Sequence, residues 1–231
     1  MKHNQIIVEL QDWMGSDAAI ADAAWTSSTE YAKKKAKTQE DVSRIVNLLA
    51  DSKHSVPFES IVLRFHIRMP IAIDRQYMTH RLQSASGMSG RYRTMPDEFL
   101  KMPQDVFDIV DKAAGRGAIY EHVYNDICEK ANQLYRQQLL ELRDAEKKGL
   151  ITNKEYKRAR EFLRGILPQH NMTERVSVIN LRSLANFLKL RNKEDAQYEI
   201  RVIAEQMLEE LETKAVCPVA LESIKRNNWA I

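Results

Sequence analysis

The sequence predicts an α+β fold, a small antiparallel sheet with a dominant set of helices, on three observations. Residues 60–69, SIVLRFHIRM, alternate: Ile61, Leu63, Phe65, Ile67 and Met69 face one way, Val62, Arg64, His66 and Arg68 the other, as in a half-buried strand. From Ile119 to about Lys148 the apolar residues Ile119, Val123, Ile127, Ala131, Leu134, Leu139 and Leu142 recur as on a long amphipathic helix. No Pro/Gly/Ser-rich linker, low-complexity tract or internal repeat divides the 231 residues. They are read as a single domain, 1–231, with a helical hairpin at about 117–166.

The remaining elements follow in order. QIIVEL (5–10) is short and β-branched, a plausible strand. An alanine-rich stretch from Asp17 to Lys35 reads as a helix, with Ser16 or Asp17 as its cap. Thr38 opens T-Q-E-D, close to a capping pattern, before Val42, Ile45, Val46 and Leu49 at helical spacing. After the alternating strand, Pro70 leads into a short helix-like segment reaching residue 83. Lys147-Lys148-Gly149 ends the long helix, and a turn leads to a second over 153–165. Helices at about 178–190 and 193–214 precede Pro218.

Composition excludes several classes. Apolar residues make up 44% and charged residues 29%, an ordinary globular balance. No run approaches the roughly 18 consecutive apolar residues of a membrane helix, and MKHNQIIVELQDWMG does not read as a signal peptide. Cys128 and Cys217 could form one bridge at most, so a disulfide framework is excluded and a cytoplasmic location is expected. The seven glycines spell neither G-x-G-x-x-G nor G-x-x-x-x-G-K-[ST]. No H-E-x-x-H or Cys/His cluster points to a metal, and a net charge of +3 is too mild to argue nucleic-acid binding.

Between Asp74 and Asp97, RQYMTHRLQSASGMSGRYRTMP carries four arginines and a histidine but no carboxylate. Its cations must be solvated or meet an external anion. Ser84, Ser86 and Ser89 add hydroxyl donors, and Gly87 and Gly90 add permissive backbone, which suits phosphate oxygens. A solvated surface loop is the alternative. Further along, Asn180, Arg182, Asn186 and Arg191 place polar groups on a helix whose Leu184, Phe187, Leu188 and Leu190 are expected to pack inward. At 100° per residue Asn180, Asn186 and Arg191 do not share one face.

H-R-x-x-S-x-x-x-x-S-G-R-Y, from His80 to Tyr92, resembles the signature of flavin-dependent thymidylate synthases, whose core is R-H-R-x7-S. Three further segments resemble that family in order: His54-x-x-Pro57-Phe58-Glu59; Arg75-Gln76; and Arg164-x-x-Leu167-Pro168 followed by N-x-R-S-L-x-N-F-L-x-L-R from Asn180 to Arg191. The resemblance spans roughly residues 6–214. It departs at Thr79, where the family has the first arginine of R-H-R, at Ser86 in place of Asn, and at Gly87 in place of Glu. One positive and one negative group are lost together, as in a reshaped pocket, while Arg91, Arg164, Arg182 and Arg191 remain.

The resemblance implies the fold of that family and its activity, reductive methylation of dUMP at C5 to dTMP by a methyltransferase. The implied cofactor is FAD, with NADPH and methylenetetrahydrofolate as co-substrates. It implies that Arg191 is catalytic, contacting the uracil ring and favouring ionisation at N3. Gln76, Ser89, Gly90, Arg91 and Arg164 match the dUMP-binding positions, and His54, His80, Arg81, Asn180, Arg182 and Asn186 match FAD-binding positions. The chemistry is apt, since arginine forks bind phosphate bidentately and asparagines offer paired donor and acceptor atoms. Cys128 and Cys217 are expected to be buried structural thiols, consistent with a route that needs no enzyme nucleophile. A homotetramer with shared active sites is implied, with neither membrane nor nucleic acid as partner. Two alternatives stay open: hydroxymethylation of dUMP or dCMP, and a non-catalytic nucleotide- or nucleic-acid-binding protein.

Overall fold

The structure is a computed structural model that describes residues 5–26 and 38–229. In chain order it contains β1 (Ile7–Met14), α1 (Asp17–Trp25), α2 (Gln39–Asp51), β2 (Val62–Pro70), α3 (Ile71–Tyr77), β3 (Gln83–Gly87), α4 (Gln104–Ala114), α5 (Gly117–Lys147), α6 (Asn153–Leu163), β4 (Met172–Asn180), α7 (Leu181–Arg191), α8 (Tyr198–Thr213) and α9 (Pro218–Arg226). Single 3₁₀ turns occupy Val56–Ser60 and Arg164–Ile166. The strands form one small sheet in the order β1-β2-β4-β3, and helices dominate, as the α+β reading expects. Residues 27–35 of the helix expected from Asp17 lie outside the described residues.

The described residues form two compact units, the first made of residues 5–26, 38–68, 75–86 and 174–229. Its core is the apolar face of β2, where Leu63, Phe65 and Ile67 are fully buried together with Ile61 just before the strand. Each such side chain contributes about 1.5–3 kcal/mol over an exposed one. β1 pairs antiparallel with β2 in the register Ile7↔Arg68 and Glu9↔His66, shifts at Leu10/Asp12, and continues to Met14. The outer edge of β1 is closed by one face of α8. There Gln206 Oε1 accepts from Val8 N (2.8 Å), its Nε2 donates to Ile6 O (3.0 Å), Glu210 Oε2 accepts from Leu10 N (2.7 Å), and Lys214 Nζ donates to Leu10 O. Side chains one turn apart thus satisfy strand groups that would otherwise be left unpaired. Thr38 and Asp41 form the capping box of α2, and Val42, Val46 and Leu49 are buried as the spacing predicts. Asp17 accepts from Val219 N (3.2 Å) and Ala220 N (2.8 Å), fixing the start of α9.

The second unit comprises residues 69–74 and 87–173. Met95, Tyr135 and Leu139 form its buried centre, with Ile71, Met88, Leu163 and Leu167 packed against them. Asn132 and Asn171 exchange two amide hydrogen bonds (3.1 and 2.6 Å), and their remaining donors reach Cys128 O and Pro96 O. A buried amide pair completed in this way avoids the cost of unsatisfied polar groups. The α6 helix opens on a second capping box, Thr152 with Glu155.

Several expectations are corrected. The stretch 172–180 is a strand up to the residue before Leu181, so no helix begins near 178. A strand, β3, lies inside the basic segment, and α4 and α9 appear where no element is expected. The helix expected from 193 starts at Tyr198. On α5 the buried residues are Gly117, Cys128, Asn132, Tyr135 and Leu139, while Ile119, Val123 and Ile127 are 60%, 45% and 59% exposed. Leu190, expected inward, is exposed; Leu181 and Ala185 are buried beside Leu184, Phe187 and Leu188.

Candidate active site

In the first unit, the turn between α3 and β3 is fastened to β4 by a chain of hydrogen bonds. Tyr77 donates its hydroxyl to Ser177 Oγ (3.0 Å), and Ser177 donates to Gln83 Oε1 (2.6 Å). Gln83 Nε2 donates to the carbonyls of His80 (2.9 Å) and Tyr77 (3.2 Å). The His80 ring meets Phe187 edge-on at 4.9 Å, and Phe187 meets Tyr77 edge-on at 5.3 Å. Arg191, the last residue of α7, donates from Nε to His80 Nε2 at 3.1 Å. A guanidinium has no acceptor, so this bond assigns His80 as neutral, with its proton on Nδ1. Burial, reinforced by the Arg191 charge, holds the His80 pKa below its ordinary 6.5.

Asn180 is the N-cap of α7, its Oδ1 accepting from Ser183 N at 2.8 Å. Arg182, in the first turn, pairs with Glu59 from the 3₁₀ turn before β2. Asn186, Arg81 and His54 are exposed. Gln76 lies on α3, and its buried Oε1 has no hydrogen-bond partner among the described residues. A buried carbonyl oxygen without a donor is costly to leave unpaired and is open to a donor from a water or a ligand.

The second unit carries the other four candidates. Ser89 O accepts from Tyr92 N and Arg93 N (3.1 Å each), and Ser89 Oγ accepts from Arg91 N (3.3 Å). Arg91 Nε donates to Glu161 Oε1 on α6 at 2.8 Å. Both partners are substantially exposed, so the pair is worth little and can exchange for an incoming anion. Gly90 is buried, and a Cβ there would meet Arg164 Cδ at 3.2 Å and Met95 Cγ and Sδ at 3.3 Å. The stem of Arg164 therefore runs directly against the glycine. Two guanidinium groups and a hydroxyl around a close-approach glycine are donors of the kind that hold phosphate oxygens.

The structure thus joins His80 to Arg191 and Gly90 to Arg164, whereas His54, Arg81 and Asn186 bond to none of the other candidates. Sequence reasoning missed Glu161, Gln83 and Ser177 as supporting residues, and gave Glu59 no role although it stands in the His54–Glu59 motif. Nothing in the spacing marks Glu161. A cleft of about 420 Å³ between α5 and α6, lined by Leu142, Ala145 and Phe162, includes none of the candidates. No group of metal-ligating side chains occurs among the described residues, and no described helix is long and apolar enough to cross a membrane. Both cysteines are buried; burial raises the Cys128 thiol, and burial with the nearby Asp17 pushes Cys217 up to about 12.

Residues 9–219 match the family model for thymidylate synthase complementing proteins. A flavin-dependent thymidylate synthase of Rickettsia conorii is 36% identical over 227 residues, covering 94% of this chain and 75% of its own length. One from Thermosipho melanesiensis is 33% identical over 231 residues, covering 96% of this chain and 91% of its own. Among solved structures, the UMP/dUMP methylase PolB of Streptomyces cacaoi, bound with 5-Br dUMP, superimposes with a TM-score of 0.72 at 25% identity, covering 96% of this chain and 95% of that one. The chain belongs to the flavin-dependent thymidylate synthase family.

Proposed function

We propose that this protein methylates dUMP reductively at C5 to give dTMP, with FAD as cofactor and NADPH and methylenetetrahydrofolate as co-substrates. The observation that carries the reading is the Ser89–Gly90–Arg91 turn held against the stem of Arg164, a cluster of phosphate-grade donors with a single, exchangeable acid. It agrees with the names of the relatives and with the dUMP analogue bound in the Streptomyces methylase. In this reading Arg91, Arg164 and Ser89 grip the nucleotide phosphate, and Gln76 offers its unpaired Oε1 to the nucleotide. Arg191 places its guanidinium on the pyrimidine ring and stabilises the negative charge that develops there.

The first unit supplies groups that fit the flavin. His54, Arg81 and Asn186 are exposed donors, Asn180 keeps its amide N–H group beside the α7 cap, and Arg182 lies two residues further on. When bound, the flavin supplies the reducing hydride; this chain's residues position and polarise. Neither cysteine is a candidate nucleophile, since both thiols are buried with raised pKa values. The exposed apolar line Ile119, Val123 and Ile127 on α5 supports a homotetramer, because such a stripe favours burial against another copy. A cytoplasmic location accords with two unbridged cysteines.

The test is product analysis on flavin-loaded protein given dUMP, methylenetetrahydrofolate and NADPH. Purified protein should be yellow, and mass spectrometry should find dUMP carrying one added methyl group. Protein that stays colourless with excess FAD and shows no thermal shift would end the proposal, and a hydroxymethyl product would replace it with the neighbouring one-carbon reaction. UMP belongs in the same assay, because the Streptomyces neighbour is described as acting on both nucleotides.

A further inference from the structure

His80 and Arg191 are 111 residues apart, and family resemblance gives them to different ligands, one to the flavin and one to the nucleotide. In the structure they are bonded to each other. Arginine at the end of a helix rides on a long stem with many rotamers, so its head reaches a fixed place only if something holds it. The imidazole is well suited to do so because it is itself fixed. Its ring rests edge-on against Phe187, while the backbone N–H of His80 donates to Tyr77 O (3.1 Å) and its backbone carbonyl accepts from Gln83, which Ser177 anchors to β4. Bonding at Nε leaves the two Nη groups of Arg191 available as a fork.

We infer that His80 is a positioning residue for Arg191, its neutral imidazole accepting from Nε so that the Nη fork is presented to the pyrimidine ring. The inference rests on the dUMP reading and adds to it the group that aims the guanidinium. Protonation of His80 would remove the acceptor and set two cations 3.1 Å apart, so Arg191 would leave its place and turnover would fall. The neutral state is favoured by the surroundings. Phe187 from α7, Tyr77 from α3 and Gln83 from β3 bring no carboxylate to the ring, and the charged group acting on it is Arg191 itself, which opposes protonation.

Two variants of the flavin-loaded enzyme separate the possibilities, with turnover expressed per bound flavin because His80 also matches a flavin position. His80→Leu removes the acceptor and should lower kcat by roughly 10²-fold, the scale of a mispositioned catalytic group, with little change in KM for dUMP. His80→Gln offers an amide oxygen that does not titrate, and should restore most of the turnover while abolishing the fall of wild-type kcat below the ordinary histidine pKa. A readout independent of methylation is the ¹⁵N NMR titration of His80. It should report the Nδ1–H tautomer and a pKa that rises toward 6.5 in Arg191→Gln. Full kcat in His80→Leu, an unchanged acid limb in His80→Gln, or a His80 titration indifferent to Arg191→Gln would each overturn the inference. A wild-type enzyme that leaves dUMP unmethylated would overturn the functional reading instead, and the NMR titration would still decide the pair.

Discussion

Replacing Gly90 by alanine is expected to weaken nucleotide binding without unfolding the protein. Gly90 is not among the glycines with positive φ, so its backbone accepts a side chain without strain. The added Cβ would lie 3.2 Å from Arg164 Cδ and 3.3 Å from two atoms of Met95, a few tenths of an ångström inside ordinary contact. Both neighbours are flexible, so the crowding costs about 1 kcal/mol, the low end for an overpacked site. The displacement falls on the atom next to the guanidinium, however, and is passed to its head. A hydrogen bond to a charged group is worth about 1.5–3 kcal/mol, and losing about half of one raises KM for dUMP by roughly 4–12-fold. The phosphate carries the same charge in ground and transition states, so kcat should hardly change. Initial rates over a range of dUMP, with a urea melt of each protein, measure both quantities. A lowered stability with unchanged KM, or a fall in kcat at constant KM, would refute the phosphate cradle.

Arg91→Ala should likewise raise KM more than it lowers kcat, whereas Arg182→Ala should release flavin, as read from the absorbance of the gel-filtered protein. Asn180→Ala should cost about 1 kcal/mol in a urea melt through the lost cap of α7. Asn180→Asp keeps the cap oxygen and should hold the stability while weakening FAD binding. Native protein should leave Cys128 and Cys217 unmodified by a thiol reagent at mildly alkaline pH, and both should react once it is unfolded. Thr38 holds Asp41, and Thr152 holds Glu155, below the ordinary carboxylate range by hydrogen bonds in the two capping boxes. Stability from these carboxylates is present above their unfolded pKa values and lost as pH falls through the lower folded ones. Urea melts across the acid range should show a shallower decline in Thr38→Val than in wild type.

What the sequence revealed depended on whether burial followed polarity. In β2 it does, since Leu63, Phe65 and Ile67 are buried and Arg64 is exposed, and the strand could be read directly. From Thr173 to Val178 in β4 it is inverted: Thr173, Arg175 and Ser177 are buried while Val176 and Val178 are partly exposed, so polarity does not report the buried face of this strand. The α5 helix was legible as a helix from its period, but its apolar line does not face its own chain, and the face that does carries Asn132 and Tyr135. The capping box of α2 was readable because Thr38 and Asp41, three residues on, satisfy each other's backbone groups locally, whereas the box of Thr152 with Glu155 emerged only in the structure. In the candidate site, motifs named the residues but not their mutual contacts. The bond of His80 to Arg191 depends on how α7 returns past the turn after α3, and no local pattern records that. Glu161 escaped notice for the same reason, as one acid in a charged helix whose partner lies 70 residues away.

The proposed reaction requires the Arg191 guanidinium to act on the reacting ring rather than merely to end a helix. A lysine there would keep the cation that favours a helix C-terminus, worth about 0.3–1 kcal/mol, but would lose the planar fork. The decisive measurement is kcat at saturating dUMP for Arg191→Lys and Arg191→Ala, with flavin occupancy determined on the same samples. Both variants should retain flavin, and kcat should fall by roughly 10²–10³-fold in Arg191→Ala, with Arg191→Lys also well below wild type. Full turnover in the lysine variant would show that Arg191 only ends a helix.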